Sequence, residues 1–310
     1  MISDLFSLTV LLGIISSGIR LATPYLFASI GEAFSQRSGV LNLGVEGQMI
    51  LGAFTAFYVV MNTENLLLGV LAAMGVGALM GLAMGFVSIT LQAQQGISGI
   101  GFYLFGLGMS NLLFQLLVGT VETVSGFPKV PLPILSDIPV IGKLFFDHNI
   151  LVYLAFLLVP IASFVLNKTN LGLKIRSVGE NPEAADSLGV SVSKVRYFTT
   201  IFGGAMSGLS GASLSIALLN VFQLGMTAGQ GFIAVALVYF GAWRPWGVLA
   251  GALLFSLVNG LQLWIQVLGI NIPSEFAVMM PYILTIFVLT LSRSKYGAPS
   301  ALTKPFEREG

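Results

Sequence analysis

The chain has 310 residues, of which 55% are hydrophobic and only 9% are charged, and its formal net charge is +1. Soluble domains carry about 25% charged residues, so this composition excludes an ordinary soluble protein. The near-zero net charge gives no electrostatic basis for nucleic-acid binding. Cysteine is absent and histidine occurs once. Disulfides and thiolate metal sites are thereby excluded, and we expect neither a metal nor a cofactor.

About nine apolar stretches approach the ~20 residues that a helix needs to cross a bilayer. The first contains Arg20 and Pro24, so we expect either a kinked helix or two shorter pieces with a re-entrant part. The seventh is interrupted by Gly225, Gly229 and Gly231 and predicts a broken helix, which persists at membrane depth only where protein or water shields the backbone. The fold class is therefore an all-α, polytopic transmembrane helix bundle. A single domain covers residues 1–310, with predicted spans at 6–35, 46–62, 66–91, 97–119, 150–166, 198–220, 222–242, 247–270 and 276–292.

Basic residues are concentrated in the 167–197 loop and in the tail after residue 292. The 120–149 loop has only two lysines, which three acidic residues offset. The positive-inside rule places the 167–197 loop and the C-terminus in the cytoplasm, and the 120–149 loop and the N-terminus outside. We therefore expect a multi-pass protein of the plasma membrane, without a cleaved leader because MISDLFSLTV lacks a basic n-region. The basic residues that decide the orientation are Lys168, Lys174, Arg176, Lys194, Arg196, Arg293, Lys295, Lys304 and Arg308.

The 120–149 loop is rich in proline, which lacks an amide donor and resists helix formation. Its segment FPKVPLPILSDIPVIGKLF predicts an ordered, extended or turn-rich cap. Two interpretations stay open, a simple connector or a docking surface for a molecule outside the membrane. His148 lies in the same loop and is expected to be structural or solvent-exposed.

The stretch GENPEAADSLGV is polar and acidic, although its neighbours are basic and apolar. Asn181 suits a helix N-cap, Pro182 suits the first helical position, and two acidic residues follow where the helix dipole favours them. Gly189 can end the helix in a left-handed conformation. A helix of about seven residues is unstable alone in water. It therefore either packs on its own protein or is presented to a soluble cytoplasmic partner.

Three segments resemble ABC importer permeases of the simple-sugar, nucleoside and branched-chain amino acid group, and nucleoside permeases most of all. GENPEAADSLGV resembles their coupling helix. GEAFSQRSGVLNLGVEGQMILGAF resembles their N-terminal signature, and GQGFIAVALVYFGAWRPWG resembles a turn near the cytoplasmic face. The matching residues are Asn181, Pro182, Glu183, Ala184, Ala185, Asp186, Leu188 and Gly189 in the coupling helix, and Glu32, Arg37, Asn42, Gly44, Glu46 and Gly47 in the signature.

The resemblance implies the permease subunit of an ATP-driven importer, which moves a nucleoside or a related small sugar-containing solute by alternating access. It also implies an ABC ATPase subunit bound through the coupling helix, a second permease subunit (identical or a sister chain), an extracellular substrate-binding lipoprotein, and surrounding membrane lipid. The chain has no G-x-x-x-x-G-K-[ST] phosphate-binding loop. ATP hydrolysis is therefore expected on the partner, and the chain itself is not expected to be an enzyme.

Three charged residues, Glu32, Arg37 and Glu46, cluster near the cytoplasmic end of the first two predicted spans. They form either a relay or substrate site, since charges within a membrane are often functional, or an interfacial ion-pair network that fixes the turn between two helices. Arg20 lies mid-span by count. It pairs with Glu32 or another acid, marks a bend into a wet region, or extends its side chain to the interface.

A pathway for a neutral polar solute needs uncharged hydrogen-bonding groups and aromatic faces inside the bundle. The later spans contain no Asp or Glu, so a secondary carrier coupled to protons or sodium is the weaker alternative. ABC permeases for simple sugars or branched-chain amino acids are further alternatives. The candidate pathway residues are Asn111 and Gln115, four apart on one helical face, with Asn220, Gln223, Asn259, Gln262, Phe102 and Tyr103, and less directly Gln230, Phe222, Trp264 and Tyr239.

Overall fold

The structure is a computed structural model that describes residues 8–131, 133, 136, 138–139, 141–268, 279, 283, 286, 290 and 297–307. Helices dominate because, in lipid, a helix satisfies the backbone N–H and C=O groups of its own segment without water. The α-helices are α1 (Leu8–Arg37), α2 (Val45–Thr63), α3 (Leu66–Gly85), α4 (Gln95–Leu117), α5 (Ile141–Phe145), α6 (Ile150–Lys168), α7 (Asn170–Glu180), α8 (Pro182–Ser187), α9 (Val192–Ser213), α10 (Gln230–Phe240) and α11 (Pro245–Val267), and the strands are β1 (Lys129–Pro131) and β2 (Asp147–Asn149). A π-helical turn extends α3 over Phe86–Thr90, and a second one extends α9 over Leu214–Leu218.

A polytopic helical membrane protein is confirmed, but the described residues support 6 membrane-spanning helices by length and composition, fewer than the nine predicted. α2 falls outside this set. α10 has 11 residues, too few to cross ~30 Å of hydrocarbon at about 1.5 Å per residue. The predicted ninth span, 276–292, lies outside the described residues except for four positions, as do Arg293, Lys295, Arg308 and the N-terminus. The six helices are Val10–Arg37, Leu66–Thr90, Gln95–Leu117, Ile150–Lys168, Val192–Leu218 and Pro245–Val267.

The two spans predicted to be irregular differ from each other in the structure. The first is one helix of 30 residues that continues through Arg20 and Pro24, rather than two pieces. The Pro24 carbonyl accepts a hydrogen bond from Ser210 Oγ on α9 (2.6 Å), which ties the proline turn to its neighbour. The seventh is helical only over α10. Gly225 and Gly229, just before α10, have positive φ angles of 69° and 82°, a backbone conformation that interrupts a helix and that glycine adopts without strain.

α9 packs against three other long helices, α1, α2 and α3. Its contact with α3 is made by backbone against backbone, because a Cβ on Gly204 would overlap the carbonyl oxygen of Gly77 and a Cβ on Gly208 would overlap that of Ala73. Small residues that allow such close approach are a principal source of helix association in lipid. On the other side α1 packs against α6, α10 and α11, whereas α4 packs mainly on α2.

The bundle has two ends with different connections. At one end α7 and α8 join α6 to α9, and we call this the α7–α8 end. At the opposite end β1 pairs antiparallel with β2, and the Val124 amide donates to the Asn220 carbonyl (2.9 Å). Asn149 Nδ2 also donates to the Ala217 carbonyl (3.1 Å), which connects the proline-rich segment to the π-helical turn Leu214–Leu218 that follows α9. His148 is buried in this segment, with 1% of its surface exposed, which fits the structural alternative for this residue.

Candidate functional site

The short acidic helix forms where the sequence predicts it. α8 is Pro182–Ser187, and Asn181 caps its N-terminus by accepting from the Ala184 amide through Oδ1 (3.0 Å). Gly189 follows with φ 82°, the left-handed conformation that commonly ends helices. Asn, Pro and Gly thus set both ends of a helix that has too few residues to be stable alone.

α8 is fixed to the bundle by one face only. Ala185 is 3% exposed and packs with Val178 of α7 and Val192 of α9. Leu188, at the end of the helix, is 85% exposed. The first observation agrees with packing on the protein's own surface, and the second leaves the opposite face accessible, so presentation to a partner stays a prediction.

An open groove runs along the exposed side of α8, between it and α7. Its volume is about 510 Å³, and its lining includes Leu173, Ala184, Leu188 and Val190. Leu188 and the apolar part of this groove are accessible on the same side of the bundle. The α7–α8 end therefore presents a helix and a groove that a second polypeptide can contact.

The C-terminal segment 297–307 packs against the α7–α8 end of the bundle, and we call it the C-terminal clasp. The Ala301 amide donates to the Gly179 carbonyl (2.9 Å), and the Thr303 amide donates to the Gly39 carbonyl (3.0 Å). Arg196 Nη1 donates to the carbonyl of Lys304 (3.0 Å). The clasp therefore connects α7, the turn after α1 and the first turns of α9.

Glu46 joins the start of α2 to the start of α10. Its Oε1 accepts from Thr227 Oγ1 (2.6 Å) and the Gly229 amide (2.8 Å), and its Oε2 accepts from the Gly231 amide (2.6 Å). These amides belong to the N-terminus of α10, where backbone donors lack partners within the helix and the helix dipole favours a negative charge. The buried carboxylate thus stabilises the broken part of the seventh predicted span.

Glu32 holds a second polar network near the end of α1. Its Oε1 accepts from Gln36 Nε2 (2.9 Å) and from the Asn42 amide (3.0 Å). Gln36 Oε1 in turn accepts from Trp243 Nε1 (2.8 Å), and Arg37 Nε donates to the Trp243 carbonyl (3.0 Å). The end of α1, the α1–α2 connection and the α10–α11 turn are therefore connected by hydrogen bonds.

The ion-pair interpretation of these charges is wrong for the described residues. Glu32 and Glu46 accept from neutral amide and hydroxyl donors, and Arg37 donates to a backbone carbonyl. Arg20 cannot reach Glu32, because 12 residues of helix separate them by about 18 Å. Arg20 is exposed and lies within electrostatic range of His148, toward the end of the bundle opposite α8.

The predicted pathway residues occupy three different places. On α4, Tyr103 contacts Phe232 of α10 edge to face, with ring centroids 5.1 Å apart, and Asn111 Oδ1 is buried without a hydrogen-bond partner among the described residues. Asn220 has φ 56° and its carbonyl accepts from the proline-rich segment. Phe102 and Gln115 also lie on α4. Gln223 is exposed in the loop before α10. Asn259 and Gln262 lie on α11, which packs on α1 rather than on α4.

Some residues that organise this end carry no signal in the sequence. Arg196 is 2% exposed and its Nε also donates to the Ser38 carbonyl (3.2 Å), yet in the sequence it contributes only to the charge count of a loop. Gln36 and Trp243 lie within the signature and turn segments that resemble permeases, yet they are not among the residues predicted to be functional. Phe222, predicted as a stacking surface, is fully buried against Phe54.

Comparison with known proteins identifies the family of this chain. Residues 14–289 match the family described as branched-chain amino acid transport system / permease component. The chain belongs to this family. As a member it is a permease subunit of an ABC transporter, a class of subunit that is not itself catalytic.

Similar proteins are permeases over nearly their whole length. The putative glucose ABC transporter permease protein TsgC13 of Haloferax volcanii is 40% identical over 96% of this chain and 98% of its own. The guanosine ABC transporter permease protein NupQ of Bacillus subtilis is 38% identical over 94% and 96%, and the nucleoside ABC transporter permease protein NupC of Lactococcus lactis is 37% identical over 93% and 94%. No solved structure matches this permease.

Proposed function

We propose that this permease carries a nucleoside, or a related small sugar-containing solute, into the cell by alternating access that a separate ABC ATPase drives through α8. The observation that carries the proposal is the asymmetry of α8. Buried Ala185 fixes one face to the bundle, while Glu183, Ala184 and Leu188 are exposed on the other. Because the buried face of α8 packs on α7 and α9, a displacement that a bound partner imposes on α8 would be transmitted to both helices.

The proposal places the α7–α8 end and the C-terminus in the cytoplasm and the 120–149 segment outside. Its support is the positive-inside rule, since Lys168, Lys174 and Lys194 are exposed at the α7–α8 end. In this orientation an ATPase subunit meets α8, and an extracellular substrate-binding lipoprotein meets the proline-rich segment. A second permease subunit, identical or a sister chain, completes the pathway.

The proposed solute class rests on relatives and on neutral polar groups. Two of the three relatives described carry guanosine or nucleoside in their names. The buried Asn111 oxygen, which has no hydrogen-bond partner in the described part of the chain, lies two turns along α4 from Tyr103, whose ring contacts Phe232 of α10. An amide and an aromatic ring on one helix face suit a nucleobase, which hydrogen-bonds at its edge and stacks on its face. A simple sugar is the second candidate, because the Haloferax volcanii relative carries glucose in its name.

The coupling proposal is tested at the exposed face of α8. A184W and L188D, each co-expressed with the ATPase subunit, are expected to reduce its co-purification and ATP-dependent uptake by about tenfold, the loss typical of a central interface residue. The matched control is S187A on the same helix, because the Ser187 hydroxyl only donates back to the Ala184 carbonyl (2.9 Å). Uptake that continues without ATP and without any partner would contradict the proposal.

The solute proposal is tested by competition in vesicles that contain the complete transporter. Unlabelled nucleosides, glucose and leucine are each added against labelled guanosine, and only nucleosides are expected to compete. N111L is expected to raise the KM for guanosine, whereas S98A, on the same helix with its hydroxyl bonded to the Gln94 carbonyl (2.9 Å), is expected to leave it unchanged. Uptake of glucose that guanosine does not inhibit would favour the sugar alternative.

A further inference from the structure

A large polar cavity opens at the α7–α8 end, beside the groove of α8. It lies between the ends of α1 and α6, one side of α7 and the turn that begins α11, and its volume is about 1010 Å³. Three arginines contribute to its lining, Arg37, Arg176 and Arg244, together with one acidic residue, Glu180. These four residues give the described lining a formal charge of +2.

The fold holds these arginines close together. A Cβ on Gly179 would overlap the Arg37 carbonyl oxygen, so α7 approaches the end of α1 at backbone distance and carries Arg176 and Glu180 with it. Arg37 is within electrostatic range of Arg176, Arg244 and Glu180. Like charges at such range repel, and a bound anion would relieve that repulsion.

One arginine donor of the cavity is unsatisfied among the described residues. Arg176 Nε is buried and has no hydrogen-bond partner among the described residues. Glu180, the acidic residue of the lining, accepts through Oε2 from the Ser300 hydroxyl (3.1 Å) of the C-terminal clasp. A guanidinium has five N–H donors in a planar fork that matches the oxygens of a phosphate group. The cavity therefore offers arginine donors to an anion with several oxygens.

The position of the cavity favours an anion that belongs to the membrane. Trp246 contributes to its lining and is 56% exposed, and tryptophan is enriched where a protein crosses the lipid–water interface. Ser163 and Asn167, at the end of α6, also contribute to the lining, and Phe164 between them is 62% exposed on an apolar helix face. A lipid whose tails cover that face would have its headgroup at the level of the cavity.

We propose that this cavity binds a phosphate group, contributed by the headgroup of an anionic phospholipid or by a free phosphate anion, with the position of Trp246 and Phe164 favouring the lipid. Basic pockets between membrane helices recognise anionic headgroups by the same chemistry. The site is independent of the transported solute, so its failure would leave the proposed function untouched.

The test uses the full chain purified in detergent and offered equal amounts of phosphatidylglycerol and phosphatidylcholine, with retained lipid counted by native mass spectrometry. The wild type is expected to retain phosphatidylglycerol in preference. R176Q and R244Q are each expected to lower that retention by about fivefold, the typical effect of one arginine near an anionic lipid. K168Q is the matched control, because Lys168 ends α6 next to Asn167 and is exposed but does not line the cavity.

A second arm separates the two sources of phosphate. Inorganic phosphate is titrated into the lipid-free chain while tryptophan fluorescence, to which Trp246 contributes, is followed. A phosphate response that R176Q removes, without any preference between lipids, identifies a free anion as the occupant. A lipid preference without a phosphate response identifies the headgroup. The proposal is overturned if the wild type shows neither, or if K168Q loses as much as R176Q.

Two further variants distinguish a loss of binding from a loss of folding. R176K keeps the charge and is expected to retain part of the preference, while losing the forked geometry. If R176Q does not purify, R244Q alone carries the test, because Arg244 is exposed at the start of α11. An R244Q protein with unchanged lipid and phosphate binding overturns the proposal.

Discussion

Glu46 uses both carboxylate oxygens to accept hydrogen bonds, whereas Glu32 uses one. Each oxygen of Glu46 faces a backbone N–H, on Gly229 and Gly231, so the amide of E46Q must point its NH₂ at one of these donors. The Oε2 atom of Glu32 has no partner among the described residues, so E32Q can place its NH₂ there. We expect E46Q to lower the free energy of unfolding by about 2 kcal/mol, the cost of a buried unsatisfied donor, and E32Q to lower it much less.

Thermal unfolding of the purified variants in one detergent measures this difference. E32A serves as the control for the Glu32 network, because it removes the acceptor for Gln36 and Asn42 and should destabilise more than E32Q. Equal midpoints for E46Q and E32Q would show that the Glu46 contacts with α10 do not contribute to stability.

His148 gives the proline-rich segment a dependence on pH. Burial lowers the pKa of His148 below the ordinary value of 6.5 by desolvation, and the hydrogen bond to the Leu144 carbonyl only partly opposes this. The native state therefore holds the neutral ring, with Nε2 and the Leu144 oxygen 2.7 Å apart. Nδ1 is buried without a partner among the described residues, so a second proton has no acceptor there.

Because the unfolded chain binds the proton more readily, stability is full above about pH 6.5 and decreases as the pH falls through the lowered native pKa. We expect the unfolding midpoint of the wild type to decrease between about pH 7.5 and about pH 5.5. H148Q, which keeps a donor for the Leu144 carbonyl but does not titrate, should show a smaller decrease. Parallel curves for the two proteins would assign the pH dependence to other groups.

At the scale of elements, the contact between α3 and α9 depends on the absence of side chains. Gly77 faces the Gly204 carbonyl, whereas a Cβ added to Gly75 on the same helix would have no neighbouring atom within 4 Å. G75A should stabilise the protein by up to about 1 kcal/mol through helix propensity. G77A gains the same propensity but must separate the two backbones, and we expect a net loss of about 1–3 kcal/mol.

The two alanine variants make a matched pair, since each adds one methyl group to the same helix at positions two residues apart. Their unfolding midpoints, measured under identical conditions, should move in opposite directions. A G77A protein as stable as G75A would mean that the helices can separate at little cost, and would remove the close glycine contact as a determinant of the fold.

The ends of α8 are predictable from sequence because they depend on local chemistry. Asn181, Pro182 and Gly189 act through capping and backbone preferences that need no tertiary partner. The span count is not predictable in the same way. Hydropathy marks 222–242 as apolar, and its glycines predict a break. The start of α10 at Gln230 depends also on Glu46, far away in sequence, which accepts hydrogen bonds from Thr227, Gly229 and Gly231. A hydropathy pattern cannot reveal hydrogen bonds between residues that lie so far apart in sequence.

The sequence predicts which residues belong to the candidate site, but it does not predict which partners they contact in the fold. The sequence marks the signature positions Glu32, Arg37 and Glu46, but it leaves open whether they form a relay or substrate site or an interfacial ion-pair network. Arg37 and Glu46 instead bond to neutral groups far away in the chain, at Trp243 and Thr227. Glu32 accepts from nearby neutral groups, on Gln36 and Asn42. The contribution of Arg196 to the clasp depends on residues more than a hundred positions away, and a loop charge count cannot reveal it.

On the scale of the whole molecule, the α7–α8 end is a set of elements joined by direct contacts. The clasp bonds to Gly179, two residues before the cap of α8, and to Gly39, which follows α1. Ser38 Oγ and Thr199 Oγ1 of α9 are 2.7 Å apart, and Arg37 bonds to the turn before α11. A displacement of α8 is therefore resisted by α1, α9 and α11 together, which is the rigidity that the proposed coupling role requires.

This arrangement predicts the effect of removing the clasp. A chain ending at residue 296 loses the hydrogen bonds of Ala301 and Thr303 and leaves Arg196, buried at 2% exposure, without the Lys304 carbonyl. Each lost bond is worth about 1 kcal/mol, so local opening around α7 and α8 should rise by roughly tenfold or more. We expect faster limited proteolysis between residues 170 and 191, and lower uptake per ATP hydrolysed in the assembled transporter.

A chain ending at residue 307 keeps the whole clasp and is the matched control, expected to behave as the full-length protein in both assays. The two readouts also separate a loss of coupling from a loss of folding. If the shorter chain purifies with an unchanged unfolding midpoint but its ATPase partner hydrolyses ATP with little transport, the clasp transmits motion between α8 and the bundle. If proteolysis, uptake and hydrolysis all match the control, α8 is held by Ala185 and its apolar neighbours alone, and the clasp has no part in coupling.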